Sequence, residues 1–92
     1  MPNNLHISYD LINPGQNYEK VIARIKLLGD WAKIHQSYWF VSSTKTPEEA
    51  VNFIGVALDQ NDKVYVVDAV SNSSAWNRLP NDVREFIIDN WS

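Results

Sequence analysis

The chain has 92 residues, a formal net charge of −3 and no cysteine. A chain of this length forms one domain and buries roughly 60 to 65% of its unfolded surface. The lack of cysteine excludes a disulfide scaffold, thiol catalysis and a cysteine-based zinc site, and the acidic balance gives nucleic acid no overall electrostatic attraction. Apolar residues make up 45% of the sequence, with four Trp, four Tyr and three Phe. We therefore predict a globular domain with an aromatic-rich core or interface.

The sequence carries no targeting or membrane signal that we can identify. The first four residues include no basic group and no apolar run. No segment approaches the 18 consecutive apolar residues that a membrane-spanning helix needs. We therefore predict a cytoplasmic protein without a membrane partner.

The segment 5–11 alternates apolar and polar residues, and Asn13-Pro14-Gly15 then interrupts the pattern. This predicts a half-buried strand followed by a turn. Because side chains alternate across a strand, one face would carry the apolar residues and the other would carry His6, Ser8 and Asp10. Asp10 lies at the end of the strand, where a carboxylate can act as a metal ligand or general base. Alternatively, it hydrogen-bonds the turn amides, which is a common role of Asp.

The next three elements are predicted from periodicity and from residue type. Apolar residues recur at helical spacing from Tyr18 to Leu28, with Asn17 as a plausible N-cap and Gly29 as a stop. Residues that favour strands then run from 31 to 43. Because this is long for one strand, we predict strands at 31–35 and 38–43 with a tight reversal between them.

A second helix is predicted by its start signal. Thr46 is in the N-cap position, Pro47 takes the first helical position and Glu49 completes a capping box. Its apolar face continues to Leu58. Residues 63–70 follow as a nearly continuous apolar run, which predicts a strand in the interior of the sheet. A last helix is predicted over about residues 82–90, with an apolar side formed by Val83, Phe86, Ile87 and Trp91.

The order strand, helix, strand, strand, helix, strand is that of the ferredoxin-like split βαβ arrangement, an α+β fold. In this arrangement the two helices cover one face of a four-stranded antiparallel sheet and leave the other face free. The core would span about residues 4–70, and the tail from about 72 to 92 would be helical. Because a short amphipathic helix is marginal alone, we expect Trp76 or Trp91 to anchor this tail on the domain or on a partner.

Three features together resemble a known family: the first strand ending Ile7-Ser8-Tyr9-Asp10-Leu11, Gln36-Ser37 followed by aromatic residues, and the Thr-Pro-Glu-Glu helix start. They are similar to the CRISPR-associated Cas-two proteins and their relatives, which include virulence-associated protein D and small stand-alone bacterial proteins. The resemblance covers about residues 4–70. It implies a ferredoxin-like homodimer with metal-dependent endoribonuclease activity. By motif, Asp10 would be the metal-ligating and catalytic aspartate, and Ser37 the catalytic hydroxyl.

A magnesium ion prefers several oxygen ligands, so one carboxylate is a poor site. A two-fold axis that brings Asp10 from both subunits together would improve it. Asp68 could be a second acidic ligand or a solvent-facing residue, while His6 and His35 could act as acid or base or have a structural role. The chain departs from the CRISPR members in lacking an arginine-rich segment after the aspartate, which argues against long-duplex binding.

Two hypotheses from different classes follow. In the first, the chain is a dimeric, magnesium-dependent endoribonuclease that acts on RNA. In the second, it is a non-enzymatic protein-binding module, such as an antitoxin, immunity or scaffold protein, that uses the open sheet face and the tail between Trp76 and Trp91. The strand-end Asp10 favours the first, and the acidic charge favours the second. A homodimer is also predicted because Trp39, on a sheet with one uncovered face, would need burial.

Overall fold

The computed structural model describes residues 2–11 and 18–92. Within these ranges the chain is a small α+β domain with a four-stranded antiparallel sheet and three helices. The elements are β1 Asn3–Asp10, α1 Tyr18–Leu27, β2 Gly29–His35, β3 Tyr38–Ser43, α2 Pro47–Gly55, β4 Lys63–Asp68 and α3 Asn81–Asn90. None of the helices in the described ranges is long and apolar enough to cross a membrane. The predicted cap Asn17 and the predicted turn at 13–15 lie outside the described residues.

The strand order is β2-β3-β1-β4, and each neighbouring pair is antiparallel. In the β1 ladder, Ile7 stands opposite Trp39 of β3 on one side and Val66 of β4 on the other. The alternation predicted for the first strand is confirmed, because Leu5, Ile7 and Tyr9 are buried and Asp10 is exposed. β1 is therefore the central strand that pairs with β3 on one side and with β4 on the other.

The main core lies between the sheet and the two helices α1 and α2. It is formed by the apolar face of β1, by residues of β3 and by the inner faces of the helices: Leu5, Ile7, Tyr9, Leu11, Val21, Ile25, Leu28, Trp39, Val41, Ala50 and Ile54. Burying one large apolar side chain of this kind contributes about 1.5 to 3 kcal/mol. Trp39 is only 2% exposed. The expectation that Trp39 needs a partner subunit for its burial is therefore wrong.

Helix α2 begins as predicted. The Glu49 N–H donates to the Thr46 hydroxyl at 3.2 Å, and the Thr46 N–H donates to the Glu49 carboxylate at 3.0 Å. Hydrogen bonding to the Glu49 carboxylate, first from the Thr46 backbone N–H and then from the Thr46 side chain, lowers the pKa of the Glu49 carboxyl. The helix ends at Gly55 rather than at Leu58, because the chain tightens there and the Leu58 N–H donates to the Gly55 carbonyl three residues back.

The predicted reversal between β2 and β3 is confirmed at Gln36-Ser37, where Ser37 has a φ of 62°. The strand β2 begins at Gly29, two residues earlier than predicted. A Cβ atom at this position would clash with the carbonyl oxygen of Ser42 on β3. Glycine therefore allows α1 to end and β2 to pair within two residues.

The sequence predicts that the sheet face opposite α1 and α2 is uncovered, and this prediction is wrong for one half of the sheet. Helix α3 packs over this face beside β2, with Ile87 only 5% exposed and the Phe86 ring 5.5 Å from Phe40. Phe40 itself is fully buried. The apolar side of α3 and the apolar residues that β3 presents on this face bury each other, so neither needs a partner subunit.

Trp91 packs the end of the chain against the sheet face that α3 partly covers. Its ring centroid lies 5.2 Å from that of His6 and 5.5 Å from that of Phe40, and its indole N–H donates to the Asn72 carbonyl at 2.7 Å. The predicted anchoring of the tail on the domain is confirmed for Trp91. Trp76 remains 38% exposed.

Strand β4 is a second departure from prediction, since it lies at an edge of the sheet rather than in its interior. Its side chains alternate between half-buried and exposed. Val64 and Val66 pack against the core, whereas Tyr65 and Val67 are 69% and 40% exposed on the opposite face. Strand β4 therefore contributes Val64 and Val66 to the core and leaves Tyr65 and Val67 as an exposed surface on the opposite face of the sheet.

Two adjacent isoleucines test whether α3 covers the sheet. We expect Ile87→Ala to lower the free energy of unfolding by about 2 to 4 kcal/mol, because it removes a buried side chain. Ile88, 68% exposed on the same helix, is the matched control. Ile88→Ala should change stability by no more than about 0.5 kcal/mol. Urea denaturation followed by circular dichroism measures both, and equal effects would contradict the described packing of α3.

Candidate functional site

Asp10 is the last residue of β1 and is exposed on the face opposite α1 and α2, as predicted. Across the ladder it stands opposite Lys63, the first residue of β4. On its other side, the Tyr9 N–H donates to the Ser37 carbonyl at 3.2 Å. Asp10 and Ser37, the two residues predicted from the family resemblance, therefore lie at the same end of the sheet.

A shallow depression of about 140 Å³ surrounds the strand end. It is lined by Ser8, Tyr9, Asp10, Lys63, Val64 and Tyr65. Neither Lys63 nor Tyr65 is predicted as a site residue from the sequence. Both become neighbours of Asp10 only through the antiparallel register of β1 with β4, in which Ser8 also stands opposite Tyr65. The depression thus combines a carboxylate, an ammonium group and an aromatic ring.

The Asp10 carboxylate accepts no hydrogen bond and forms no ion pair with any residue of the described ranges 2–11 and 18–92. In particular, it does not form an ion pair with Lys63. The turn at 13–15, whose amides were the alternative partner, lies outside these ranges. In the described part of the chain, Asp10 is therefore an exposed carboxylate available to a ligand.

A metal ion would need more than this one side chain. Across residues 2–11 and 18–92, no three His, Cys, Asp or Glu side chains come together in a way that could hold a metal. Magnesium takes oxygen ligands in octahedral geometry and keeps part of its water. Among the described residues, Asp10 therefore has no second carboxylate or imidazole grouped with it in a three-ligand set.

Asp68, the other acidic candidate, is engaged elsewhere. Its carboxylate accepts the Asn4 N–H at 2.9 Å and the Val70 N–H at 3.1 Å, which fixes the chain where β4 ends. It stands opposite Leu5, five positions along β1 from Asp10, a separation of about 17 Å. Within one chain, Asp68 therefore cannot share a metal ion with Asp10.

His6 lies on the same face of β1 as Asp10 but is covered by aromatic rings. It stacks on Phe40 with a centroid distance of 5.2 Å and an interplanar angle of 11°, and the edge of Trp91 meets it. Its Nδ1 shares a 3.0 Å hydrogen bond with the Tyr38 hydroxyl, whereas its Nε2 is buried without a described partner. Burial lowers the pKa of His6, and the negative charge of Asp68 partly opposes this shift.

His35 has a different environment, at the exposed end of β2 next to the Gln36-Ser37 turn. Its ring centroid is 5.3 Å from that of Tyr38. Burial raises the pKa of the Tyr38 hydroxyl, which therefore keeps its proton at neutral pH. The two histidines thus flank one tyrosine, but only His6 is enclosed.

Comparisons of this chain with protein-family models, with curated proteins and with solved structures found no match.

The environment of His6 predicts a pH dependence of stability. Its folded-state pKa lies below the ordinary value of 6.5, so on acidification the unfolded chain takes up this proton first. Stability should therefore fall as the pH drops below 6.5 towards the folded-state pKa, and the contribution of His6 is complete above 6.5. Urea unfolding at pH 7.5 and 5.5 measures this loss.

His6→Phe, which keeps an aromatic ring against Phe40 and Trp91, should show a smaller loss between the two pH values. The exposed His35 supplies the control, since His35→Gln should retain the wild-type dependence. An identical pH dependence in the wild-type and His6→Phe proteins would contradict the described burial of His6.

Proposed function

We propose that this chain is a metal-dependent endoribonuclease that works as a homodimer, with Asp10 from each subunit as the metal ligand. The observation that carries this proposal is the exposed Asp10 carboxylate at the end of the central strand, which has no partner among the described residues. Asp68, by contrast, accepts two backbone hydrogen bonds from described residues.

The arrangement of elements supports placing the core in the ferredoxin-like fold. Read from β4, the strand order is β4-β1-β3-β2 with every pair antiparallel, and α1 and α2 both pack on one face. This is the order expected of a split βαβ domain. It agrees with the resemblance to Cas-two proteins, in which the aspartate that closes the first strand lies near the dimer axis.

The functional groups around Asp10 are of the kinds that cleavage of a phosphodiester needs. Two Asp10 carboxylates together would hold a divalent ion such as Mg²⁺, which when bound supplies Lewis-acid activation of the attacking water and the phosphodiester. The ammonium group of Lys63, opposite Asp10, would bind a neighbouring RNA phosphate as a point charge. The Ser37 hydroxyl, on the adjacent turn, would hydrogen-bond the RNA strand at the same sheet end.

The half of the sheet that α3 leaves uncovered is our proposed dimer contact. Tyr65 and Val67 are exposed there, and they follow Lys63 along β4. An apolar surface next to Asp10 would let two chains meet with their carboxylates close together. Without a metal the two negative charges repel each other, so this dimer would be held by the apolar contact and strengthened by the ion.

A second candidate function is protein binding, in which the chain acts as an antitoxin, immunity or scaffold protein. The observation that favours it is the same uncovered surface, where Tyr65 and Val67 are both more than one third exposed. Trp91 is engaged within the chain, so a partner of the tail would meet Trp76 instead. Exposed aromatic residues of this kind are common at the centre of protein interfaces.

A cleavage assay with a matched carboxylate control tests the enzymatic proposal. Purified protein is incubated with end-labelled single-stranded RNA in Mg²⁺, in Mn²⁺ and in EDTA. We expect metal-dependent cleavage that Asp10→Asn reduces by at least about 100-fold, since even outer-shell partners of a metal contribute 10- to 100-fold. Asp30→Asn, at an exposed position on β2, should leave the rate unchanged.

Light scattering on the same samples separates the two candidate functions. The endoribonuclease should have about twice the chain mass of 10.6 kDa, and Asp10→Asn should leave the metal-free dimer as stable as the wild type or more so. A monomer that cleaves no RNA with either metal would overturn the proposed endoribonuclease and leave the protein-binding module in its place.

A further inference from the structure

A cavity of about 290 Å³ lies on the face of the sheet opposite α1 and α2, beneath residues 74–79. Its floor is formed by side chains of β1, β2 and β3, and its walls by the segment before α3 and by the end of the chain. This volume is close to the lower end of the range for small-molecule sites in proteins, about 300 to 1,000 Å³. The cavity is separate from the depression around Asp10.

The lining is rich in aromatic side chains, and none of its described residues is Asp, Glu, Lys or Arg. Trp76 and Trp91 contribute indole rings, Tyr38 contributes a phenol, and His6 and His35 contribute imidazoles. Such walls favour a flat, uncharged aromatic ring, because its faces can stack on theirs and no charge must be removed from water without a partner. Ser74 and Asn77 add hydrogen-bonding groups to the lining.

His6 supplies the polar atom that lacks a partner. Its Nδ1 is occupied by the Tyr38 hydroxyl, and its Nε2 is buried with no hydrogen bond among the described residues. Leaving a buried ring nitrogen unpaired is unfavourable. Because His6 is also a lining residue of the cavity, a bound ring that reached Nε2 would need a donor or acceptor group on its edge to pair this atom, which a heteroaromatic ring has and a hydrocarbon ring lacks.

Residues 73–79 form the segment that covers the cavity, and hydrogen bonds hold the residues just before and just after it. Before it, the Asn72 carbonyl accepts the Trp91 indole N–H, and after it the Pro80 carbonyl accepts the N–H of Arg84 in α3. Between these points, its backbone makes no hydrogen bond to the described strands. Displacing the covering segment would therefore break no described backbone hydrogen bond to the sheet.

We propose that this cavity binds a nucleobase, the uncharged heteroaromatic ring of a nucleoside or of single-stranded RNA. The inference extends the proposed endoribonuclease function and rests on it for the biological ligand. His6 and Asp10 are four residues apart on one face of β1, a separation of about 13 Å. An RNA strand with its scissile phosphate at Asp10 would place the base of a flanking nucleotide in the cavity, so the cavity would select the cleavage sequence.

Binding of free nucleosides tests the cavity independently of cleavage. Adenosine, guanosine, cytidine and uridine are titrated into ¹⁵N-labelled protein while the indole N–H signals of Trp76 and Trp91 are followed by NMR, with ribose as the control. We expect at least one nucleoside to shift both signals saturably and ribose to shift neither. Trp76→Ala should weaken binding at least about fivefold, as expected for loss of a stacking partner.

Three further variants locate the site. His6→Phe keeps the ring packing but removes both nitrogens, and it should also weaken binding. Ile88→Ala removes an exposed apolar side chain of α3 that does not line the cavity, and it should bind like the wild type. Asp10→Asn should bind nucleosides normally, so failure of the proposed endoribonuclease and failure of the cavity give different results. The proposal is overturned if no nucleoside causes a saturable shift, or if Trp76→Ala and His6→Phe bind like the wild-type protein.

Discussion

The register of β1 between its two neighbours determines most of this structure. Because Ile7 stands between Trp39 and Val66, the odd-numbered residues of β1 enter the core under α1 and α2. The even-numbered residues His6, Ser8 and Asp10 then fall on the opposite face. A shift of one residue would exchange the two sets and place a carboxylate in the core. The apolar packing that fixes the fold thus also fixes the position of the candidate site.

Helix α3 divides the second face of the sheet into two environments. Beside β2 and β3, its apolar side and Trp91 enclose His6 and create a cavity with aromatic walls and no Asp, Glu, Lys or Arg among its described lining residues. Beside β4 the face is open, and Asp10 and Tyr65 are exposed to solvent. Binding of an uncharged ring and binding of a metal ion need these two different environments. One strand, β1, contributes a residue to each of them.

Strong local patterns made much of the fold predictable. The alternation in β1, the capping box at Thr46 and the reversal at Gln36-Ser37 each depend on nearby residues, and all three are confirmed. The errors concern tertiary contacts. Apolar content alone does not distinguish an edge strand from a central one, so the sequence predicts an interior position for β4, which lies at the edge. Likewise, the sequence does not show that Trp39 lies on the face that α1 and α2 cover. Lys63 lies next to Asp10 only because β1 pairs with β4, and this pairing has no local sequence signal. Residues 74–79 lie near His6 because α3, which follows them, packs on the same face of the sheet.

We propose that two copies of Asp10 form one metal site, and the stoichiometry of metal binding is a direct test of this proposal. Mn²⁺ can be titrated into the protein and the bound fraction measured by electron paramagnetic resonance, with Asp10→Asn in parallel. We expect one tightly bound ion for every two chains in the wild-type protein and none in the variant. One ion per chain, or equal binding by the variant, would contradict a site shared across a two-fold axis.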